Sequence, residues 1–400
     1  MSSLICLRRM IDVDIDNVRP QANELEITLI GAGSEAGESV VVHLANGKWM
    51  IIDSCKAGGE VLPLYYLKKK EVDLKEVVYV ICTHWHTDHI EGLSDVIKEC
   101  TNAILAIPGF FNKESVFNAL FTDYITRRSL IVKEMVDSLK VIKGRQGVLS
   151  QPIYLGPRDE VTDEEIEGVK VEVRSFSPSD HVKELYDKML AESTLQKVAS
   201  SDLEPNMCSS VLELSTDNHL LNVLLGADLE TNRKEERNLD CKAQCDANLQ
   251  MGWCHVVKSN NKYKERDKYD YIKASHHSSI NGYCPELMDT KVDKEHTVIT
   301  TTAFENGAGV RLPEVQMLNQ YLSICNNYFI TAKEPKPIIV KDVDTDIESM
   351  KNKGVQEVKV IKPDCGVITT RYNVTTGVRT RHELWGCASR VDAELVARFA

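Results

Sequence analysis

No apolar run in this chain approaches the roughly 18–20 residues that a membrane-spanning helix requires. There is no Ser/Gly linker, no low-complexity tract and no repeat at a fixed period, which sets aside solenoids, fibrous arrays and wholesale disorder. Basic charge is the scarcer sign, with 48 Lys and Arg against 60 Asp and Glu and a net charge of −12, so the surface is not coated for polyphosphate, although one local basic groove remains open. Paired cysteine spacing is also missing. The twelve cysteines are scattered, mostly inside apolar runs, as expected of reduced thiols rather than a disulfide scaffold. The first residues, MSSLICLRRMIDVDID, place arginines after the apolar stretch and then turn acidic, the wrong order for a secretory signal. A cytoplasmic protein with no membrane partner is expected.

What is present is an ordinary globular composition, 42% hydrophobic and 27% charged over 400 residues, enough for two domains or one large layered domain with insertions. Residues 25–31, 39–44 and 48–53 have strand character, 61–70 helical spacing, and 77–83 is a short continuous apolar run typical of a strand covered on both faces. A helix over 91–100 and a strand over 103–108 continue the alternation, which is α/β grammar. From about 110 to 147 apolar residues recur at helical spacing, predicting a two-helix insertion. Strands at 169–177, 208–214, 219–226, 269–274 and 297–302, helices at 180–199 and 313–324, and a closing hairpin at 367–384 repeat the pattern. The expected organisation is an N-terminal extension over 1–24 and one domain over 25–400.

The sharpest feature is Thr83-His84-Trp85-His86-Thr87-Asp88-His89. Three imidazoles and a carboxylate fall within six residues, directly after a buried strand and before a helix. His84 and His86, two apart on extended backbone, point the same way, and Asp88 and His89 follow where the chain turns into the helix. Neutral imidazole with carboxylate suits zinc and related divalent ions.

This run resembles the HxHxDH signature of metallo-β-lactamase fold hydrolases. The resemblance implies an αββα sandwich of two mixed β-sheets flanked by helices, with a metal site at the sheet edge. It implies that Asp53, ending WMIID, hydrogen-bonds into the HxHxDH loop, that Asp228, ending LLGAD, bridges two metals, and that a late strand-end histidine, His276 in IKASHHSS, completes the second. A closer resemblance is to the hydrolase domain of DNA-uptake competence proteins, which carry a doubled histidine after an LK-type strand and an Asn/Ser segment in place of the usual third-motif histidine. Asn206-Met207-Cys208-Ser209-Ser210-Val211-Leu212 resembles that segment. The likeness spans roughly 25–373 and departs at Val310-Arg311, where relatives carry a histidine, and in the size of the insertion.

That ligand set places His84, His86 and Asp228 on one ion and Asp88, His89, Asp228 and His276 on the other. A shared carboxylate holds such ions about 3.5–4 Å apart and a water between them is acidified to hydroxide. Two divalent ions, zinc with manganese as the alternative, are the expected cofactors. Asp88, His277 and Lys273 are the expected catalytic side chains, His277 protonating the leaving oxygen and Lys273 adding positive charge. With no third-motif histidine the first ion keeps an open position, which suits a phosphodiester oxygen, and Asn206 and Ser209 are expected to border it. The function expected is a phosphodiesterase or nuclease cleaving DNA, with protein partners in a defence or DNA-processing assembly by analogy of fold. The competing readings are a small-molecule hydrolase of a cyclic nucleotide, lactone or thioester, with the insertion as a lid, and a non-catalytic metal-stabilised binding protein. Two weaker signals are the basic stretch 258–268, a solvated loop or a phosphate-tracking edge, and Cys241, Cys245, Cys254 and His255, surface thiols or a small zinc site.

Overall fold

A computed structural model describes residues 4–8, 13–32, 37–112, 130–157, 160–192, 205–231, 251–259, 261–305, 311–332, 338–340, 357–362 and 365–399. Two eight-stranded sheets dominate. The first is formed by β1 (Glu24–Ala32), β2 (Glu38–His43), β3 (Trp49–Ile52), β4 (Val77–Ile81), β5 (Ile104–Pro108) and β6 (Ile153–Leu155), with β14 (Cys365–Asn373) and β15 (Arg379–Gly386) on the β1 side. The second runs from β7 (Glu160–Ile166) through β8 (Val169–Ser175), β9 (Leu212–Thr216), β10 (Asn222–Leu225), β11 (Tyr271–Lys273), β12 (Val298–Thr301) and β13 (Asn327–Ile330) to β16 (Ser389–Arg390).

Period-two patterning explains the layering. On β1 and β2, Leu25, Ile27, Leu29, Val40 and Val42 enter the core between the sheets, where they meet Leu212, Leu214, Val223 and Leu225 of the second sheet. Ile30, Val41, Trp49 and Ile51 face the other way, into a core shared with the helices α1 (Leu62–Lys69), α2 (Thr87–Ile90) and α3 (Leu93–Glu99). Leu224, Ile272 and Ile299 face a third core against Gly252–Ser259, Pro285–Lys291, Val315–Ile324 and Ala393–Phe399. The order helix, sheet, sheet, helix agrees with the expected sandwich.

Each sheet changes from antiparallel to parallel pairing at its fourth strand counted from β14 or β7. β3, β4, β5 and β6 pair in parallel, and so do β10, β11, β12 and β13. Parallel strands end on the same side, so the loops after β3, β4, β10, β11 and β12 gather at one edge, where open α/β sheets bind ligands.

Some elements differ from expectation. Residues 208–214 open not as strand but as a 3-10 turn, Pro205–Cys208, because Ser210 N–H is committed to Thr83 O at 3.0 Å and the ladder starts only at Leu212. Within the expected insertion, residues 113–129 lie outside the described ones. Leu130–Lys143 is a single helix laid along α3, where Glu134 accepts from Ser94 N–H and Oγ while Arg145 binds the carbonyls of Ile97, Cys100 and Ala103 at the other end. Residues 13–19 of the expected extension lie on the domain, with Asp16 paired to buried Lys70 at 2.7 Å. No helix among the described residues is long and apolar enough to cross a membrane.

Candidate metal centre

The loop after β4 places its side chains by a dense local network. Asp53, held at φ 59° at the end of β3, accepts from Thr83 N–H at 2.7 Å, from Thr83 Oγ1 at 2.7 Å and from His89 Nδ1 at 2.8 Å. Left-handed backbone at a non-glycine residue costs on the order of 1 kcal/mol or more, and here it aims a buried carboxylate into the motif. Thr83 Oγ1 also lies 3.0 Å from His84 Nδ1. The rings of His84 and His86 are 4.9 Å apart, as two residues on the same side of an extended segment should be. Gly37, at φ 78°, runs so close to this loop that a Cβ there would sit 1.8 Å from Asp88 O; only glycine fits.

From the second sheet come Asp228, just past β10, and the turn after β11. His276, His277 and Ser278 are all left-handed, at φ 46°, 50° and 56°, held by His276 N–H to Ala227 O at 3.0 Å and by Tyr328 OH to Ser278 Oγ at 3.0 Å. This turn sends the two imidazoles to different places. His277, 1% exposed, lies 3.1 Å (Nε2) from Asp88 Oδ2 and 3.7 Å from Asp228 Oδ2. His276, with 22% of its side chain exposed, turns to Glu230 Oε1 at 2.9 Å and Ser279 Oγ at 3.0 Å.

Ligand atoms of Asp88, His89, Asp228 and His277 lie within 4.8 Å of one another, and so do those of His84, His86 and Asp228. Asp228 belongs to both groups. The structure therefore exchanges the expected positions of the histidine pair, with His277 in the cluster and His276 beside it. Lys273, expected to add positive charge, is buried, donating to Ala227 O at 2.9 Å and paired with Glu38, 3.7 Å from Asp228 Oδ1, so it braces the Asp228 turn. Asn206 donates to Glu230 Oε1 at 2.9 Å and lies 3.4 Å from His276 Nε2, while Ser209 is buried in the same turn. The chain's pattern did not reveal Glu38, Thr302 or Glu230. A carboxylate inside the valine-rich ESVVVH strand, and another two residues after Asp228, were the available signals.

Does this cluster fit cations? Asp53, Asp228 and Glu38 are buried and Asp88 is half-buried beside them, with Lys273 as the one buried ammonium at the cluster among the described residues. Buried anions in such excess demand positive charge. Burial pushes the Asp88 and Asp228 carboxyls up, but His89 and His277 outweigh it and hold both below the usual range. Burial pushes His89 down, yet Asp228 and Asp88 carry it well above an ordinary histidine. His84 is the opposite case, pushed well down by burial and then by His89. His84 Nε2, His89 Nε2 and Asp228 Oδ1 are buried without hydrogen-bond partners; the two imidazole nitrogens lie 3.9 and 3.2 Å from Asp228 Oδ2, and Oδ1 is on the Lys273 side. Unpartnered imidazole nitrogens and carboxylate oxygens of this kind are the donor set of divalent metal sites, and the fit is good.

Layered fold and His/Asp cluster together define a metallo-β-lactamase fold with candidate metal-binding residues. Residues 33–115 match the model of the metallo-beta-lactamase superfamily, a stretch that includes Asp53 and the whole HxHxDH loop. The cleavage and polyadenylation specificity factor subunit 3-I of Arabidopsis thaliana is 27% identical over 118 residues, which is 28% of this chain and 16% of that protein. Thus the matched part spans about one sixth of that relative's length. Among solved structures, the metallo-beta-lactamase fold protein YhfI from Bacillus subtilis is 9% identical over 85% of this chain and 97% of that one, with a TM-score of 0.34. The metallo-beta-lactamase GOB-18 from Elizabethkingia meningoseptica is 14% identical over 68% and 78%, with a TM-score of 0.33. Members of the superfamily are generally metal-dependent hydrolases. Of the weaker signals, Cys241 and Cys245 lie outside the described residues, and Cys254 is buried against Thr231 O.

Proposed function

We propose that this chain is a metal-dependent phosphodiesterase, a nuclease acting on DNA, with His84, His86 and Asp228 holding one divalent ion and Asp88, His89, Asp228 and His277 the other. The observation that carries it is Asp228, buried and common to two donor groups, which is how a two-ion site is bridged. When bound, such ions polarise a phosphoryl oxygen and lower the pKa of a coordinated water; zinc and manganese both suit these donors. Around them the chain's own groups have separate tasks. Asp53 orients His89, and through Thr83 also His84. Three donors at the first group, with no third-motif histidine among the described residues, leave room for an anionic oxygen of the substrate. His276 is held by Glu230, raised to about 9 against burial by that hydrogen bond and by Asp228, and partly exposed. It replaces His277 as the group that hands a proton to the leaving oxygen. The cleavage factor in the Arabidopsis relative's name adds weight to a polynucleotide substrate, and protein partners in a DNA-processing or defence assembly belong to the same proposal.

One observation favours a second reading, hydrolysis of a compact substrate such as a cyclic nucleotide, lactone or thioester. In the basic stretch 258–268, Lys258 pairs with Glu286, Arg266 is buried against Glu213, and Lys268 donates to Val292 O, so these three side chains do not track a phosphate backbone. The test is turnover by the purified full chain with Zn²⁺ or Mn²⁺ on linear DNA, circular single-stranded DNA, RNA and bis-p-nitrophenyl phosphate, with Asp88→Ala as control. Metal-dependent DNA cleavage lost in the control is expected. Cleavage of the chromogenic diester alone would favour the compact substrate, and no turnover at all would remove the enzymatic reading.

A further inference from the structure

Glu38 projects from a strand of valines into the sandwich, 2% exposed, where water does not solvate it. Its three nearest polar neighbours come from the second sheet, Lys273 Nζ, Thr302 Oγ1, and His277 Nδ1 at 3.4 Å, with His89 Nδ1 of the first-sheet loop further off at 4.0 Å. Hydrogen counting then decides the arrangement. The Thr302 hydroxyl owns one hydrogen and donates it to Glu38 Oε2. Its oxygen can therefore only accept from its other neighbour, so His277 Nδ1, 2.6 Å away, carries a hydrogen. A neutral ring with its hydrogen on Nδ1 has a bare lone pair on Nε2, the atom that faces Asp88 and Asp228.

We propose that Glu38 and Thr302 form a positioning relay that fixes the ring and tautomer of His277 so that Nε2 is presented to a metal ion. This rests on the reading of His277 as a ligand. A second, independent instance of the same device stands on the first sheet. Thr83 Oγ1 donates to Asp53 Oδ2 at 2.7 Å and is 3.0 Å from His84 Nδ1, and His84 Nε2 is buried and unpartnered. Carboxylate, threonine and histidine recur in the same order on both sides of the site. Metal-binding imidazoles characteristically give their other N–H to a carboxylate or carbonyl; here a hydroxyl is interposed. Glu38 has a second arm as well. Lys273, paired with its other oxygen, donates to Ala227 O at 2.9 Å, so the same carboxylate braces the turn that carries Asp228. A plain structural ion pair would account for Glu38–Lys273 but not for Thr302, whose hydroxyl is the link to be tested.

The experiment uses the full chain as wild type, Thr302→Val, which keeps shape but not the hydroxyl, and Thr302→Ser, which keeps the hydroxyl. Zinc is removed by a competing chelator, and a long-range ¹H–¹⁵N spectrum of ¹⁵N-histidine protein reports which nitrogen of His277 carries hydrogen. We expect one of the two ions to leave Thr302→Val about 10–100-fold more readily, the serine variant to match wild type, and Nδ1 to be protonated. A folded Thr302→Val that keeps both ions at wild-type affinity, or a bare Nδ1, overturns the relay. Should wild type take up no zinc, the ligand reading falls, and the wild-type spectrum alone decides: a protonated Nδ1 upholds the relay and a bare one ends it. The same spectrum decides if the valine variant does not fold.

Discussion

The two sheets furnish the site by corresponding routes but with different backbone. On the first, a carboxylate after β3 meets a histidine loop, 83–89, after the adjacent parallel strand β4, and 24 residues of chain separate the two strands. On the second, Asp228 follows β10 and the histidine pair follows the adjacent parallel strand β11, but 45 residues of chain separate β10 from β11. The first loop aims its ligands from extended and helical backbone, held by Asp53 from the adjacent strand. The second uses three successive left-handed residues, and its orientation depends on Lys273 of β11 itself and on Glu230, Thr302 and Glu38 from other parts of the fold. Both loops lean on a buried carboxylate from the first sheet, but the dispersed one needs more partners to choose which way each ring points.

The largest effect should come from the residue that joins the two sides. Asp228→Ala is expected to lose both ions and to reduce metal-dependent diester turnover by about 10³-fold or more, since the shared carboxylate is the bridge. Elemental analysis and a turnover assay on the same preparation check it; retention of both ions would separate the two sides. Next is the histidine pair. His277→Ala should lose bound metal, while His276→Ala should keep it and lose turnover by about 10²-fold. The opposite result would restore the order first expected from the sequence.

Much of the first side was legible because its information is local. A strand-ending acid at Asp53, an apolar strand at 77–81 and the seven-residue motif need only periodicity and spacing. Asp228 was legible only through the family resemblance, which calls for a bridging acid after an apolar strand. The histidine pair was not, because extended backbone and left-handed backbone send adjacent side chains to different places and IKASHHSS does not announce which applies. Glu38 stayed hidden because a strand position is assigned by its valine neighbours, and its partner Lys273 is 235 residues away. Lys273 was expected to add positive charge, and its ammonium lies between a buried carboxylate and a backbone carbonyl, 3.7 Å from Asp228.

Smaller effects test the scaffold of the first side away from the cluster. Burial pushes His43 down to about 4, and in the fold it accepts from Gly47 N–H at Nε2 while Nδ1 lies 2.8 Å from Glu24 O. Its stabilising contribution is in place above the ordinary histidine value of 6.5 and drains away as pH falls from there through about 4, because the unfolded chain takes up the proton first. Urea midpoints of metal-free protein at pH 7 and pH 5 should fall more for wild type than for His43→Asn, the full contribution being about 3 kcal/mol at most. Smallest is Glu134→Ala, which removes the acceptor of Ser94 N–H and Oγ at the start of α3. A loss of about 1 kcal/mol with unchanged metal content is expected if Leu130–Lys143 buttresses the motif helix. Loss of turnover at unchanged stability would instead mark that helix as part of a lid.

Anomalous X-ray scattering from crystals of the zinc-loaded chain is decisive for the bridged site. Two peaks are expected, both at coordinating distance from Asp228, one reached by His84 and His86 and the other by His89 and His277. A single peak remote from Asp228, or no peak in crystals grown with zinc, would contradict the bridge.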